Sequence, residues 1–335
     1  MAITWENLDK LSSFKKLQSL KGAVSVKEEL GGANGAKRIA EYSVKMGGGL
    51  FYNYAAKQVD EKVLEVLKEL AEEAELSEKF AETFNGAVVN TGEKRLVLHH
   101  LTRAQLGKDV MADGVNKREF YLNEQKRIAD FAEKVHSGKI ANANGEKFTT
   151  VVQIGIGGSD LGPRAMYLAL KNWAEKNGTL KMNAEFISNV DPDDASAVLN
   201  SVDLAHSLFI LVSKSGTTLE TLTNESFVKD ALKKAGLNPA KHMIAVTSET
   251  SPLAHNPDYL AAFYMDDYIG GRYSSTSGVG GAVLSLAFGP KVFDDFLKGA
   301  AEEDKLDTNK NLLENPAMLD ALIGIYERNV QNYPA

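Results

Sequence analysis

Helical periodicity dominates the first 145 residues. Apolar side chains recur every three or four positions between glutamates and lysines, at Val63, Leu64, Leu67, Leu70, Ala71 and Ala74. This spacing predicts an amphipathic helix with one buried face. The same pattern predicts a second helix, which carries Ile128, Phe131, Ala132 and Val135 and ends at Ser137 and Gly138.

From residue 148 onward, the apolar residues gather into short runs of strand length. The runs cover residues 151–156, 186–188, 208–212, 243–246 and 261–265. Roughly 20 to 30 residues separate each of the first four runs from the next, which is room for a helix and its two loops. The alternation predicts an α/β fold with a doubly wound parallel sheet covered by helices on both faces, preceded by a helical arm.

Helical patterning returns after Gly289 and Pro290. One apolar stripe is formed by Met318, Leu319, Leu322, Ile323 and Tyr326, and no strand-like run follows it before residue 335. In a protein that alternates strands with helices, this ending predicts an incomplete architecture.

Composition narrows the class of protein. Of the 335 residues, 44% are hydrophobic and 25% are charged, as in ordinary globular proteins, and the length suffices for two domains. The formal net charge of -7 disfavours a general nucleic-acid binder, so we expect no nucleic-acid partner. The first residues lack an apolar signal core and no apolar run reaches about 18 residues, so we expect a cytoplasmic protein without a membrane partner.

Metal and thiol chemistry find little support. The chain has no cysteine and six histidines, none of them at the spacing of a metal motif. His99 and His100 are adjacent, and neighbouring residues of a strand point to opposite faces, so we expect one packed and one solvated imidazole. The sequence therefore predicts no metal site.

In parallel sheets, ligands bind at the carboxyl ends of the strands. The first run is followed by Gly155 and Gly157, but a dinucleotide fingerprint needs a third glycine where Asp160 stands. Asp191 lies 36 positions after Gly155, whereas the ribose-binding acid is expected after about 20. A dehydrogenase thus remains a strained alternative. Ser159 or Asp160 is expected to cap the following helix, and exposed N–H groups at a helix start also bind sugar or phosphate oxygens.

Hydroxyl groups follow the third run. Ser213, Ser215, Thr217, Thr218 and Thr221 surround Lys214 and Gly216. Hydroxyls, backbone N–H groups and the helix dipole together suit a phosphate monoester, although a turn with a capping box would use the same residue types. We call residues 213–218 the hydroxyl loop and residues 155–159 the glycine loop.

The fifth run leads into a loop with paired glycines and an arginine. We call residues 266–274 the arginine loop; it carries Gly270, Gly271 and Arg272. The rigid donor fork of an arginine can stabilise an oxyanion or enolate, although an arginine in such a loop is more often a salt-bridge partner.

Together and in this order, the three loops resemble the glucose-6-phosphate isomerase family. The matching motifs are GIGGSDLGP at 155–163, SKSGTTLET at 213–221 and GGRYS at 270–274. Supporting similarities are VNTGEKRLVLHH at 89–100, FAEKVHSGK at 131–139 and NPAMLDALIGIYERN at 315–329. The resemblance implies a sugar-isomerase (SIS) fold, a three-layer αβα sandwich. Its expected divisions are a helical arm at 1–145, a first SIS domain at 146–290 and the start of an incomplete second one at 291–335.

The resemblance also implies a reaction and its residues. It is the reversible conversion of glucose 6-phosphate and fructose 6-phosphate through a cis-enediolate, without a cofactor, in a homodimeric full-length protein. Gly158 and Ser159 would lie by the sugar, and Arg272 would stabilise the enediolate. The phosphate would be held by Ser213, Ser215 and Thr218, in a loop completed by Lys214, Gly216 and Thr217.

One family feature has no counterpart in the chain. The family's general base is a glutamate in a G-E-x-x-x-N-x-Q-H segment, and the sequence stops before such a segment. Glu220 is the nearest substitute, but we expect it to orient Lys214 or a backbone amide as a supporting residue. We therefore expect the 335 residues alone to be inactive. A non-catalytic SIS module that binds hexose phosphates is the alternative.

Overall fold

The computed structural model describes residues 5–103 and 106–334, which form two compact units. The helical unit comprises residues 5–96, 106–108 and 299–334, and the sheet unit comprises residues 97–103 and 109–298. The domain divisions at residues 145 and 290 stay a prediction; in the compact units, residues 109–145 group with the sheet.

The described chain is mainly helical outside one five-stranded sheet. The helices are α1 (Ser12–Ser19), α2 (Val26–Gly31), α3 (Gly35–Glu41), α4 (Glu61–Glu73), α5 (Leu76–Phe84), α6 (Lys117–Ser137), α7 (Leu161–Lys176), α8 (Pro192–Ser201), α9 (Leu219–Lys234), α10 (Gly278–Phe288), α11 (Pro290–Leu306) and α12 (Pro316–Ile325). The strands are β1 (Ser43–Lys45), β2 (Phe51–Asn53), β3 (Met111–Ala112), β4 (Val115–Asn116), β5 (Thr150–Ile154), β6 (Asn183–Ile187), β7 (Ser207–Ser213), β8 (Met243–Ser248) and β9 (Ala262–Met265).

Amphipathic helices build the core of the helical unit. The predicted face of α4 is buried from Val63 to Ala71, and Asp60 caps this helix by accepting the N–H of Val63 at 2.8 Å. Its apolar face shares a cluster with α1 and with the buried stripe of α12. The helical predictions for these segments are confirmed because the period of the apolar residues matches the face that is buried.

The sheet unit has the doubly wound parallel architecture that the sequence predicts. Its strands lie in the order β6-β5-β7-β8-β9, and each neighbouring pair is parallel. Alternate residues of β5 are buried in two different cores. Val151 packs with α6, α7 and α10 on one face of the sheet, and Val152 packs with α8 and α9 on the other. The continuous apolar runs of the central strands follow from this burial on both faces.

The strand order changes direction beside β5. The chain passes from β5 to β6 on one side and then crosses to β7 on the other. The helices that follow β5 and β7 therefore pack on opposite faces of the sheet, which leaves a crevice at the carboxyl ends of these two strands. Such crevices are where open α/β sheets bind ligands.

Two local expectations need correction or refinement. His99 and His100 belong to a 3₁₀ segment, His99–Arg103, and not to a strand; His100 is buried and His99 is partly exposed. Asp191 caps α8 by accepting the N–H groups of Asp193 and Asp194, which gives it a structural role.

Among the residues that the structure describes, no helix has the length and apolarity to cross a membrane.

Candidate functional site

The glycine loop makes a tight turn directly after β5. Gly157 adopts a φ of 58°, and a short 3₁₀ segment covers Gly157–Ser159. The buried side chain of Gln153 donates from Nε2 to the carbonyl oxygen of Ser159 at 2.8 Å, which ties the loop to the strand. The conformation at Gly157 favours glycine because a Cβ atom is strained in that region.

Asp160 occupies the N-cap position of α7, but its side chain does not cap the helix. The carboxylate makes no capping hydrogen bond and instead accepts from Arg164 Nε at 2.9 Å. Burial raises the pKa of Asp160, while the Arg164 guanidinium opposes this shift. The prediction of Ser159 or Asp160 as the N-cap is thus confirmed in position at Asp160, whereas the expected side-chain cap is absent because the ion pair holds the carboxylate. The carboxylate leaves the first-turn N–H groups uncapped.

The hydroxyl loop is organised by its own side chains. Ser213 is buried at the end of β7, and its Oγ accepts the N–H of Gly216 at 3.2 Å and donates to Thr218 Oγ1 at 3.3 Å. Ser215 Oγ accepts from both the N–H and the hydroxyl of Thr217, at 3.1 and 3.0 Å. These bonds hold the loop in one shape before any ligand arrives.

Gly216 is the residue on which that shape depends. Its φ is 67°, and a Cβ atom there would lie 2.4 Å from Ser251 Oγ. Beyond it, Thr218 is the N-cap of α9 but makes no side-chain capping bond. The exposed hydroxyls of Ser215 and Thr217 thus lie beside the start of a 16-residue helix whose first N–H groups this residue does not cap. Such an arrangement suits an anion.

Arg272 lies on the arginine loop, within the 3₁₀ segment Gly271–Thr276. Its side chain is exposed and makes no hydrogen bond or ion pair with any residue that the structure describes. The structural alternative, an arginine held in a salt bridge, thus has no support within that part of the chain. A permanently charged fork without a partner is available to a ligand.

The start of the arginine loop is held by neighbouring side chains. Asp266 accepts from the hydroxyl of Tyr121 at 2.9 Å and lies 3.3 Å from the Nζ of buried Lys117. Leu98 donates its N–H to the carbonyl oxygen of Tyr268 at 3.0 Å. These contacts fix the backbone from which Arg272 projects.

His99 supports the same loop nearer to its arginine. Its Nε2 lies 3.3 Å from the carbonyl oxygen of Gly270, and its ring meets Tyr273 edge-on at 6.3 Å. Burial lowers the pKa of His99, so the neutral ring can donate from Nε2 at neutral pH. His99 thus contacts the residue before Gly271 and the residue after Arg272.

Three contacts join the three loops. A Cβ atom on Gly158 would lie 2.2 Å from the carbonyl carbon and oxygen of Gly271, so the glycine and arginine loops touch through bare backbone. Ser274 Oγ reinforces this contact, 3.1 Å from the carbonyl oxygen of Gly158. Lys214 Nζ lies 3.2 Å from Asp267 Oδ1, which links the hydroxyl loop to the arginine loop.

The residues that the sequence predicts for the site therefore lie at the carboxyl ends of the strands. They are Gly158, Ser159, Ser213, Lys214, Ser215, Gly216, Thr217, Thr218 and Arg272. Glu220 is exposed beyond the hydroxyl loop, and the ion-pair partner of Lys214 is Asp267 instead. Sequence reasoning missed the role of Asp267, because its partner lies 53 positions away and only the fold brings them together. Within the described ranges, no group of three or more side chains could hold a metal ion.

Comparison with known proteins gives a consistent result. A sequence model of the family "Phosphoglucose isomerase" matches residues 53–335. The glucose-6-phosphate isomerase of Treponema denticola is 62% identical over 330 residues, which is 97% of this chain and 62% of the relative. That of Borreliella afzelii is 48% identical over 335 residues, covering 99% of this chain and 62% of the relative.

A solved structure extends the similarity to the fold. The crystal structure of a glucose-6-phosphate isomerase from Chlamydia trachomatis superimposes with a TM-score of 0.87 at 37% identity, covering 98% of this chain and 62% of that protein. The chain thus spans 62% of the length of these relatives. All three loops lie inside the segment that the family model matches, and on this evidence the chain belongs to the phosphoglucose isomerase family.

Proposed function

We propose that the whole protein interconverts glucose 6-phosphate and fructose 6-phosphate, and that this chain carries the half of the active site that binds the phosphosugar. The observation that carries the proposal is Arg272, exposed and without an ion pair in the described chain, on a loop that touches the glycine loop and is bridged to the hydroxyl loop. The relatives' printed names support the same reaction.

The hydroxyl loop is the proposed phosphate site. Ser213, Ser215 and Thr218 hold the phosphate oxygens, and Lys214, Gly216 and Thr217 complete the loop. Its support is the ordered set of hydroxyls at the start of α9, where the side chain of Thr218 leaves the first helical N–H groups uncapped. Gly158 and Ser159 are placed at the sugar, because their loop meets the arginine loop in the same crevice.

Arg272 is the proposed stabiliser of the intermediate. Removal of the proton at C2 of the open aldose leaves its electron pair to form a C1–C2 double bond, while the carbonyl oxygen takes the negative charge. A proton then passes from the C2 hydroxyl to the C1 oxygen, and protonation at C1 gives the ketose. A preorganised cation beside that oxygen lowers the barrier, and losing one such donor typically costs about 3 kcal/mol of transition-state stabilisation.

The loops themselves offer no suitable base for C2. Asp160 pairs with Arg164, and Asp266 and Asp267 pair with Lys117 and Lys214. A general base must reach the proton with its lone pair available, so we assign proton transfer to a residue outside the three loops. The 335-residue chain is accordingly expected to bind substrate and not to turn it over. The family resemblance also supports a cytoplasmic location and a homodimer for the whole protein.

Two measurements on the 335-residue chain test the proposal. Isothermal titration calorimetry with fructose 6-phosphate should show saturable binding, and fructose without its phosphate should bind far more weakly. Isomerase activity, followed by coupling glucose 6-phosphate formation to its dehydrogenase, should be absent from the chain and present in a protein of the relatives' full length. Lack of fructose 6-phosphate binding contradicts the site, and binding without turnover in the long protein favours a non-catalytic module.

A further inference from the structure

Lys214 is the one cation of the hydroxyl loop, and its charge is already engaged. Its Nζ lies 3.2 Å from Asp267 Oδ1, with the two side chains 33% and 55% exposed. Both groups are open to solvent, so a ligand can reach the ammonium without unfolding anything. Exposed pairs of this kind contribute little to stability, so the Lys214–Asp267 pair itself is cheap to break.

The other polar groups of the hydroxyl loop are neutral. They are hydroxyls and backbone N–H groups, and the hydroxyl of Ser213 must give up its bond to Thr218 before it can donate to a phosphate oxygen. Within this loop, recognition of a doubly charged phosphate therefore depends on Lys214 for its positive charge. Any anion that binds to this loop competes with the Asp267 carboxylate for the ammonium group of Lys214.

We propose that Asp267 competes with the ligand's phosphate for Lys214 and thereby sets the affinity and the anion selectivity of the hydroxyl loop. This inference rests on the proposed function. A phosphate dianion offers two negative charges and can also accept from the first N–H groups of α9, so it displaces the carboxylate. A singly charged anion, such as a sugar carboxylate, offers no Coulombic advantage over Asp267.

The backbone around both residues is held independently of their ion pair. Ser248 donates its N–H to the carbonyl oxygen of Lys214 at 3.0 Å. On the other loop, Asp266 accepts the N–H of Tyr268 at 3.0 Å and the Tyr121 hydroxyl at 2.9 Å. Replacing the Asp267 carboxylate by an amide removes a charge and leaves these backbone and Asp266 hydrogen bonds in place.

The test is Asp267→Asn, with fructose 6-phosphate and inorganic phosphate titrated calorimetrically at low ionic strength. Loss of the rival charge should tighten both ligands about threefold to tenfold, and the gain should shrink in 0.5 M salt because the effect is electrostatic. Structural damage would weaken binding, so a gain separates competition from a scaffolding role. Unchanged or weaker binding by this variant overturns the inference.

Asp258→Asn is the matched control. Asp258 is 60% exposed and pairs with Lys229 at 3.5 Å, but it lies before β9 and therefore at the other end of that strand. The same change of charge there should leave both affinities as they are. An equal gain in this control would assign the effect to net charge and would count against Asp267.

A double-mutant cycle with Lys214→Gln completes the test. In the Lys214→Gln background, Asp267→Asn should give no gain, because there is no ammonium left to compete for. A gain that persists without Lys214 contradicts the mechanism. Failure of the wild-type chain to bind fructose 6-phosphate overturns the proposed function together with this inference, whereas wild-type binding without the gain overturns the inference alone.

Discussion

The carboxylate of Glu124 accepts the backbone N–H of Tyr264 at 2.7 Å. Tyr264 lies on β9, an edge strand whose outer backbone groups have no neighbouring strand. Arg127 completes the arrangement, since it pairs with Glu124 at 2.6 Å and donates to the carbonyl oxygen of Ala262 at 2.8 Å. Helix α6 thus closes this edge with side chains where another strand would otherwise pair.

Glu124→Leu should destabilise the sheet unit by about 1 to 3 kcal/mol, because it leaves the part-buried N–H of Tyr264 without its acceptor and leaves Arg127 with only the carbonyl oxygen of Ala262. The opened edge should also promote association between copies. Urea unfolding and concentration-dependent light scattering measure the two effects. Glu133→Leu, at an exposed position of the same helix, is the control. Equal stability of the two variants would show that the edge needs no cover.

Arg272→Ala should weaken fructose 6-phosphate binding about tenfold to hundredfold, the loss expected for a hydrogen bond to a charged group. Stability should change little, because the side chain contacts no described residue through a hydrogen bond or ion pair. Calorimetric titration and thermal unfolding measure the two quantities. Arg328→Ala removes an equally exposed arginine from the helical unit and should leave binding intact.

Gly158→Ala should destabilise the sheet unit by about 1 to 3 kcal/mol, because its methyl group would overlap the backbone of Gly271. Fructose 6-phosphate binding should fall as well, since the arginine loop must move away. Gly324→Ala is the control of opposite sign. A Cβ there meets nothing within 4 Å, so alanine should stabilise α12 by about 0.5 to 1 kcal/mol. Destabilisation of both variants would contradict the steric argument.

His206 should give the folded chain a pH-dependent contribution to stability. Its Nδ1 lies 2.8 Å from Asp203 Oδ2 and its Nε2 lies 3.1 Å from Glu146 Oε2. The hydrogen bond with Asp203 is the largest cause that raises the pKa of His206. The folded state therefore binds the proton more tightly than the unfolded state, whose value is about 6.5.

The contribution is accordingly complete below pH 6.5 or so and is lost as the pH rises through the folded-state pKa. The difference in unfolding free energy between the wild type and His206→Gln should be larger at pH 5.5 than at pH 8.5. His136→Gln should show the opposite trend, because burial lowers the pKa of His136 and favours its neutral form. A difference that is independent of pH at position 206 would refute the ion pairs.

Apolar runs located the parallel sheet because most residues of each of its strands are apolar. The prediction was least complete for β6, which begins at Asn183 although the apolar run starts at residue 186. As an edge strand, β6 exposes Asn183 and partly exposes Glu185, so its first half lacks the apolar signal. Backbone pairing with β5 extends β6 into residues whose side chains do not show the apolar pattern of a buried strand.

The partners of charged side chains that are distant in sequence could not be predicted from the sequence. The pairing of Lys214 with Asp267 depends on the separation of β7 from β9, which only the folded sheet defines. Arg38 is a second example. It is buried in the helical unit and donates to the carbonyl oxygens of Ala55, Lys57 and Val59, which lie 17 to 21 positions further along the chain. Motif matching found the loops because their residue types are local, and it missed these partners because they are not.

The backbone contact between Gly158 and Gly271 also limits how the site can vary. Side chains adjust by changing rotamers, but two touching backbones have no such freedom. The glycine loop and the arginine loop therefore form one rigid pair. Main-chain geometry sets the distance between Ser159 and Arg272. Under the proposed function, substitutions around the site can change its charge, whereas accepting a carbon chain of another length would require both loops to change together.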